Sequence, residues 1–235
     1  KLCIAELVWV RDRTMDGYIM PEPGDLDSLE LLTLSKGKCA LKCRSYEWCS
    51  SFFYNDLTGS CSLRTLVVKT VSGAVPVTEF VYYRAATEWC DVRMGFIYYP
   101  QANFCFRIDK GPSTSWIDAR SRCQDNGMDL VSADTPEKLE LLMRTIKETP
   151  EYRLMMYTGG IRPFGEWDTP WPDGKPHFIW VNDKPIDAST LPWGPGQPNN
   201  LNNVQNCIQI DKNRGLLLND LDCTDSIAFI CEKLE

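Results

Sequence analysis

The chain has 235 residues, a net charge of −7 and an isoelectric point of about 4.9. Its length suits two domains of about 100 residues each, and a hydrophobic content of 43% is enough to build buried cores. The acidic balance argues against nucleic acid or an anionic membrane as a partner, because both attract basic surfaces.

Eleven cysteines, one histidine and no paired CxxC spacing favour disulfides over zinc, and hence a secreted, extracellular protein. No leader peptide is apparent, so we expect the sequence to represent the mature form. No apolar run approaches the roughly 18 residues of a membrane-spanning helix.

Four cysteines lie in the segment GKCALKCRSYEWCSSFFYNDLTGSC. Ser35 is an N-cap that predicts a short helix with Cys39 and Cys43 on one face. The aromatic run SSFFYN predicts a strand, NDLTGS a turn, and CSLRTLVV the returning strand. Two bridges can then tie the helix to this hairpin, Cys39 to Cys61 and Cys43 to Cys49.

This segment resembles the core of a PAN/apple domain. The resemblance covers roughly residues 1–87 and is most distinctive from Gly37 to Leu63. It implies a helix fastened to a small antiparallel sheet by the same two nested bridges. Members of that family bind proteins or carbohydrates.

The second half predicts two helices followed by short strands. The first helix runs from Ser113 to Asp125 and ends at an Asn-Gly pair. Thr135 and Pro136 begin the second helix. Its apolar face consists of Leu139, Leu142, Met143 and Ile146. The segments HFIWVNDKPI, CIQIDKNRGLLLNDLDC and IAFICE predict strands, so the fold class of this half is α+β.

This half resembles a long-form C-type lectin-like domain over residues 88–235. The resemblance is carried by GFIYY, SWIDARSRCQDNGMDLVSADTPEKLELL, GQPNN, LNDLDC and FICE. It implies three disulfides, which pair Cys123 with Cys231, Cys207 with Cys223 and Cys90 with Cys105. The expected fold is therefore α+β, a disulfide-rich PAN/apple-like module followed by a long-form C-type lectin-like domain.

The loop GPGQPNNLNNVQNC, from Gly194 to Cys207, is rich in amides. Sugar-binding members of the family use this loop, with a cis-proline at the position of Pro198, and a neighbouring strand to hold one Ca²⁺ ion. Two sugar hydroxyls ligate that ion, whose chemistry prefers oxygen ligands. The resemblance implies the following metal and sugar ligands: Gln197, Asn199, Gln205, Asn219 and Asp220.

Three departures distinguish this chain from sugar-binding relatives. Only Asp220 is charged, so a weak Ca²⁺ site is expected, since ligand charge tunes affinity. Mannose-binding members have Glu and Asn at the positions of Gln197 and Asn199, and galactose-binding members have Gln and Asp there, so this chain matches neither pair. Leu218 replaces the usual Trp. No acidic residue lies between Gly194 and Cys207, so we expect no second site there. The loop is then a Ca²⁺-dependent sugar site, a calcium-free ligand site or a structural turn.

Other candidate features are weaker. Trp167 and Trp171 lie in a Pro-rich loop and could stack on a sugar, although one of them is expected to anchor the loop. Trp193 is expected in the core, and His177 at the end of a strand. A single histidine with bridged cysteines leaves no nucleophilic triad, so we predict no enzyme activity.

An odd number of cysteines leaves one unpaired. Either Cys90 pairs with Cys105 and Cys3 is left over, or Cys3 pairs with Cys90 and Cys105 is left over. We favour the first scheme, in which Cys3 forms an interchain disulfide and a homodimer. The sequence thus predicts a secreted, non-enzymatic lectin that binds glycans or a glycoprotein, with an innate-defence or matrix role inferred from the family alone. The alternative is a calcium-independent protein-binding or assembly protein.

Overall fold

The computed structural model describes residues 7–19, 28–32, 35–67, 74–149, 152–167 and 177–234. The chain divides into two compact units. The first is made mainly of Lys1–Cys105, and the second of Phe106–Lys147 with Glu151–Leu234. Among the described helices, none is both long enough and apolar enough to cross a membrane.

The first unit is built around an antiparallel sheet. Its elements are β1 (Val8–Arg11), β2 (Tyr18–Ile19), β3 (Ser28–Leu32), α1 (Lys36–Ser45), β4 (Ser51–Asn55), β5 (Ser60–Arg64), β6 (Val75–Pro76), β7 (Phe80–Ala86) and β8 (Ile97–Tyr99). Five strands form the main sheet in the order β1, β7, β4, β5, β3, and β2 pairs with β6. Alternation along β4 sends Phe52 and Tyr54 into one apolar cluster and Phe53 into another.

Two disulfides fasten α1 to this sheet. The Ser35 side chain caps the helix by accepting the N–H of Lys38 at 3.3 Å. Cys39 and Cys43 lie one turn apart on the buried face and bond to Cys61 and Cys49. The helix has little apolar surface of its own, so these covalent links hold it in place.

The compact first unit extends beyond the expected boundary at residues 87 and 88. Arg84 donates to the carbonyl of Val92 at 2.9 Å, and the Val67 N–H donates to the Tyr99 hydroxyl at 3.3 Å. A Cys90–Cys105 disulfide closes this segment. The compact units are defined by contacts alone, and contacts do not show where one family domain ends and the next begins. The boundary between residues 87 and 88 therefore stays a prediction.

The second unit is an α+β structure. Its elements are β9 (Phe104–Ile108), α2 (Trp116–Gln124), β10 (Asp129–Leu130), α3 (Pro136–Lys147), β11 (Met155–Ile161), β12 (Phe178–Trp180), β13 (Pro185–Ile186), β14 (Gln205–Asp211), β15 (Leu217–Asp222) and β16 (Ala228–Lys233). The strands β13, β12, β11, β16 and β9 are neighbours in that order, and β14 joins β11 to β15. The pairing of β11 with β16 is parallel, and the pairing of β14 with β15 is antiparallel.

Side-chain capping determines where the two helices of this unit begin, and a glycine marks the end of α2. Ser115 accepts the N–H of Asp118 at 3.3 Å, and its hydroxyl donates to the Asp118 carboxylate at 2.8 Å. Gly127, with a φ of +67°, follows the end of α2. Thr135 caps α3 through the N–H of Lys138 at 3.2 Å.

Two disulfides define the topology of the second unit. The Cys123–Cys231 bridge links α2 to β16 across 108 residues. The Cys207–Cys223 bridge closes a segment of 16 residues that contains β15. The first bridge fixes the core, and the second holds the end of the amide-rich loop next to β15.

Candidate functional site

The amide-rich loop lies alongside β15 through backbone hydrogen bonds. Gly194 N–H donates to the carbonyl of Leu218 at 2.9 Å, and Leu218 N–H donates to the carbonyl of Pro192 at 2.9 Å. The peptide between Gln197 and Pro198 is cis. The loop residues are therefore held beside Asn219 and Asp220 by the fold itself.

Three asparagines of this loop adopt a backbone conformation that few other residues tolerate. Asn200, Asn202 and Asn203 have φ values of 45°, 58° and 60°, in the left-handed region. Asparagine tolerates this region better than most residues, because its short polar side chain can bond to the nearby backbone. These three residues therefore shape the turn and are not, by identity alone, ligands.

Asp220 anchors the loop. Its carboxylate is fully buried, and its two oxygens accept the N–H groups of Asn199 at 3.1 Å and Asn200 at 2.7 Å. Burial raises the pKa of the Asp220 carboxyl, while these loop N–H groups oppose that shift. The only carboxylate of the predicted set thus lies at its centre and already orders the loop.

Asn199 and Gln205 meet at one backbone N–H. Leu201 N–H donates to Asn199 Oδ1 at 3.1 Å and to Gln205 Oε1 at 2.7 Å. Asn200 Oδ1 accepts the N–H of Gln205 at 3.1 Å. The sequence did not single out Asn200, although Asn200 directly follows the predicted ligand Asn199.

Gln197 and Asn219 differ from the other predicted ligands. Gln197 Oε1 and Asn219 Oδ1 are buried and have no hydrogen-bond partner. A Cβ built on Gly194 would lie 3.6 Å from both Gln197 Cγ and the Leu218 carbonyl oxygen, so the Gln197 side chain runs beside the start of β15. Buried polar atoms without partners are costly, and here they lie in a loop that the fold positions.

The structure therefore gathers three of the five predicted residues by direct bonds, Asp220 with Asn199 and Asn199 with Gln205 through Leu201. The oxygens of Gln197 and Asn219 take no part in these bonds. Alternation along β15 sends Asn219 to the face opposite Asp220.

The predicted ligands fall into two parts, the oxygens of the loop beside Asp220 and the Asn219 oxygen on the opposite face of β15. Two of these oxygens need a partner, and each oxygen already bonded retains a second lone pair. The formal charge of the set comes from Asp220 alone. In the part of the chain that the structure describes, no group of three or more His, Cys, Asp or Glu side chains could hold a metal. A cation at this loop would therefore depend on amide oxygens.

The remaining candidates lie elsewhere in the second unit. Trp167 Nε1 donates to the carbonyl of Arg162 at 2.8 Å, and the Trp167 ring stacks on Phe164 with centroids 5.0 Å apart. Trp193 packs against Phe178 and donates to a backbone carbonyl. His177 Nδ1 lies 2.9 Å from the carboxylate of Glu166. Trp171 lies outside the described residues.

A cleft of about 460 Å³ opens between α3 and the segment around β13. Leu139, Met143, Trp180 and Ile186 supply much of its apolar lining, and Asp134 and Arg144 add charge. None of the five predicted ligands lines it, so it is separate from the amide-rich loop.

Comparison with known proteins gives the family. The model of the lectin C-type domain matches residues 112–233, slightly more than half of the chain. C-type lectin domain family 4 member E of Mus musculus is 31% identical over 123 residues, which cover 52% of this chain and 51% of that protein. C-type lectin 37Db of Drosophila melanogaster is 28% identical over 121 residues, covering 51% and 71%. The chain thus spans about half the length of the mouse relative.

Solved structures also match the chain. The crystal structure of the cow C-type carbohydrate-recognition domain of CD23, determined in the presence of a GlcNAc2Man3 oligosaccharide, is 25% identical. That match has a TM-score of 0.46 and covers 60% of this chain and 93% of that chain. From the matched domain, which contains the whole amide-rich loop, the chain belongs to the family of proteins with a lectin C-type domain.

Proposed function

We propose that this protein is a secreted, non-enzymatic lectin that recognises glycans or a glycoprotein through the loop from Gly194 to Cys207, with a single weak Ca²⁺ site. The observation that carries the proposal is the Asp220 carboxylate bound to the N–H groups of Asn199 and Asn200, with Gln197 Oε1 buried without a partner in the same loop. Membership of the lectin C-type domain family supports the same conclusion.

Each residue has a defined part in this proposal. Asp220 holds the loop through the N–H groups of Asn199 and Asn200 and supplies the formal charge. Gln197, Asn199, Gln205 and Asn219 supply neutral oxygens. Bound Ca²⁺ would supply a positive charge that sugar hydroxyls can coordinate. The amide groups also offer hydrogen bonds to those hydroxyls.

Two measurements test the proposal. Ca²⁺ is titrated calorimetrically into chelator-treated protein, and the protein is then applied to a glycan array with and without chelator. We expect a dissociation constant near the millimolar range, on the order of extracellular Ca²⁺ modules, and glycan binding that the chelator removes. Absence of glycan binding in both conditions would contradict the lectin function.

One observation favours a second candidate, a calcium-independent binding or assembly protein. The loop is ordered by its own bonds, because Asp220 takes two loop N–H groups and Leu201 N–H is shared by two side chains. Such a loop can present its amides without a metal. Ligand capture that persists in chelator, with no heat from Ca²⁺, would select this candidate.

Replacing Gln205 with Glu is expected to strengthen Ca²⁺ binding about tenfold, since ligand charge tunes calcium affinity. The substitution should preserve the fold, because a carboxylate oxygen can accept the Leu201 N–H as the amide oxygen does now. Calorimetric titration measures the change. Gln124→Glu adds the same charge at the end of α2 and should leave the affinity as it is. Unchanged affinity in a folded Gln205→Glu variant would contradict the assignment of Gln205.

Within the first unit, residues 1–87 are proposed to be a PAN/apple-like module, and residues 88–235 the C-type lectin-like domain. Support comes from the helix α1, which the Cys39–Cys61 and Cys43–Cys49 bridges fasten to an antiparallel sheet. Five disulfides join ten cysteines of the described residues, which supports an oxidising, extracellular environment. A role in innate defence or a secreted matrix is part of the same proposal.

A disulfide-linked homodimer through Cys3 is proposed as the working form. Cys3 lies outside the described residues, and each of the other ten cysteines is paired in the structure. A leftover cysteine in a secreted chain favours an intermolecular bond. Two lectin domains on one particle could offset a weak site by roughly 10²–10⁴ through avidity.

Cys3→Ser is therefore expected to convert the protein from twice the monomer mass to the monomer mass on a non-reducing gel. Wild-type protein with reductant serves as the size control. A Cys3→Ser chain that still migrates as a dimer would rule out this bridge.

A further inference from the structure

The exposed side of α1 in the first unit is strongly basic. The helix has no acidic residue and four basic ones, which together we call the basic face: Lys36, Lys38, Lys42 and Arg44. The sequence contains no Asp or Glu from Leu31 to Tyr46. Among the described residues, no carboxylate forms an ion pair with the basic face. The net charge of −7 for the whole chain does not reveal this local surface.

The disulfides of α1 direct the basic face toward solvent. Cys39 and Cys43 are buried and bonded to Cys61 and Cys49, so they fix the opposite side of the helix to the first unit. All four basic residues are exposed, and Leu41 between them is 67% exposed. Ten residues at a rise of 1.5 Å give the basic face a length of about 15 Å. Its shape is that of an open strip, which suits an extended ligand.

The positions of the charges oppose the stability of α1. Lys36 and Lys38 lie in the first turn, where the partial positive charge of a helix favours acidic residues; the first turns of α2 and α3 are acidic. Lys38 is the third residue after the cap Ser35, a position that Glu or Gln fills in a capping box. Lys38 and Lys42 are four residues apart, and like charges at that spacing repel each other. The disulfides hold the helix despite this cost, and a bound anion would relieve it.

Aromatic rings lie at both ends of α1. Lys36 Nζ is 5.5 Å from the centroid of the Tyr83 ring, which stacks on Phe52 with centroids 5.0 Å apart. After the helix, the rings of Tyr46 and Trp48 are 5.3 Å apart. Tyr83, Tyr46 and Trp48 are all partly exposed. Rings with an apolar body and a polar tip suit a ligand that combines C–H surfaces with polar groups, as a sugar does.

Two other polyanions fit the basic face less well. A helix that binds a bilayer buries an apolar face among the lipids. The side of α1 with its two cysteines is bonded to the first unit, and among the described residues of the helix Leu41 is the only large hydrophobic side chain that is exposed. Nucleic acid is disfavoured by the extracellular environment that the five disulfides support.

The kind of base favours sulfate over carboxylate. Three of the four basic residues are Lys, whose ammonium is a compact point charge with three donors. Arg, whose planar fork pairs with a carboxylate through two hydrogen bonds, occurs once. A sulfate group presents its oxygens in several directions, so separate ammonium groups can contact it. Sulfates repeated along a polysaccharide therefore match charges that are spread along a helix.

We propose that the basic face of α1 binds a sulfated polysaccharide, independently of Ca²⁺ and of the amide-rich loop. Sulfate groups pair with Lys38, Lys42 and Arg44, and the rings of Tyr46 and Trp48 contact the sugar. The inference goes beyond the proposed lectin function, because it assigns a ligand and a site to the first unit. Since the contacts are mainly between charges, added salt weakens binding.

The experiment measures binding of fluorescent dextran sulfate to the chelator-treated full chain by anisotropy, with unmodified dextran as the neutral probe. We expect binding of dextran sulfate alone, with an affinity that falls about 30-fold between about 50 and 200 mM NaCl, as the release of three or four counterions implies. The triple variant Lys38→Gln/Lys42→Gln/Arg44→Gln should bind at least about tenfold more weakly. The matched control removes three exposed bases of the second unit and should bind as the wild type does: Lys110→Gln, Arg122→Gln and Lys147→Gln.

Further probes test the choice of ligand. Poly-L-glutamate, single-stranded DNA and phosphatidylserine vesicles replace dextran sulfate in the same assay. Binding of any of these as tight as that of dextran sulfate would show a surface for polyanions in general and overturn the assignment to a sulfated polysaccharide. Absence of dextran sulfate binding, or equal losses in the triple variant and its control, would overturn the site itself.

Thermal unfolding separates a binding role from a structural one. Lys38→Gln removes a repulsive charge and places Gln at the capping-box position, so its midpoint in chelator should rise by about 1–2 °C. The same variant should bind dextran sulfate more weakly. A Lys38→Gln protein that unfolds earlier and binds as the wild type does would show a structural lysine and contradict the inference.

The proposed lectin function has a separate readout. Asp220→Asn should leave dextran sulfate binding as in the wild type, and the triple variant of α1 should retain any binding that needs the amide-rich loop. A glycan-array signal that persists in chelator and disappears in the triple variant belongs to the basic face and supports the inference. Wild-type protein that binds array glycans but no dextran sulfate loses the basic face alone as a site.

Discussion

Asp220→Asn is expected to abolish measurable Ca²⁺ binding and the sugar binding that depends on it. The substitution removes the only formal charge of the ligand set. It also replaces one of the two oxygens that accept the Asn199 and Asn200 N–H groups with an NH₂ group. A buried N–H left without an acceptor costs about 1–3 kcal/mol, so the loop should also loosen. Calorimetry and the glycan array measure the two losses.

Asp183→Asn is the matched control, because it removes the same charge from an exposed turn after β12. It should leave Ca²⁺ affinity as in the wild type. An Asp220→Asn protein that retains Ca²⁺ affinity would show that the carboxylate serves the loop and not a cation.

Acidification gives an independent check on the same carboxylate. Burial raises the pKa of Asp220, so the carboxylate takes up a proton at a higher pH than an ordinary aspartate does. A protonated carboxyl is a poor Ca²⁺ ligand. As the pH falls, Ca²⁺ binding should therefore weaken earlier than it would at a site with unshifted carboxylates. A series of calorimetric titrations over decreasing pH measures this, and affinity that is flat across the series would contradict a role for Asp220 as a ligand.

The helices of the second unit could be predicted from local chemistry. Ser115 and Thr135 act as N-caps, and the apolar spacing of Leu139, Leu142 and Ile146 gives α3 its buried face. The predicted first helix began at Ser113, two residues before its cap. Interactions within a few residues fix such features, so one sequence suffices to find them.

The chemistry of the site was harder to predict, because it depends on residues far apart in the chain. The resemblance named Asn199 and Asp220, but only the structure shows that the Asp220 carboxylate accepts the Asn199 N–H. The buried oxygen of Gln197 has no partner because of how the loop lies beside β15, and a sequence does not show that arrangement.

Removing the Cys123–Cys231 bridge is expected to have the largest effect on stability. In the chain-entropy account, a bridge stabilises the fold by restricting the unfolded chain, and the effect grows with the loop that it closes. This bridge closes 108 residues, and loops of that size correspond to about 4.7 kcal/mol. The double variant Cys123→Ala/Cys231→Ala leaves no free thiol and no buried hydroxyl at these fully buried positions. Denaturant unfolding of the full chain measures the loss.

The Cys207–Cys223 bridge provides the internal comparison, because it lies in the same unit and closes only 16 residues. Its double alanine variant should lose about 3 kcal/mol, less than the longer bridge. For ligand binding, in contrast, the loss of the Cys207–Cys223 bridge should have the larger effect. Cys207 ends the amide-rich loop, and Cys223 follows β15, so opening this bridge should impair ligand binding in protein that is still folded. Equal stability losses for the two variants would contradict the loop-length argument, and retained glycan binding without the Cys207–Cys223 bridge would show that the backbone bonds to Leu218 are sufficient to hold the loop.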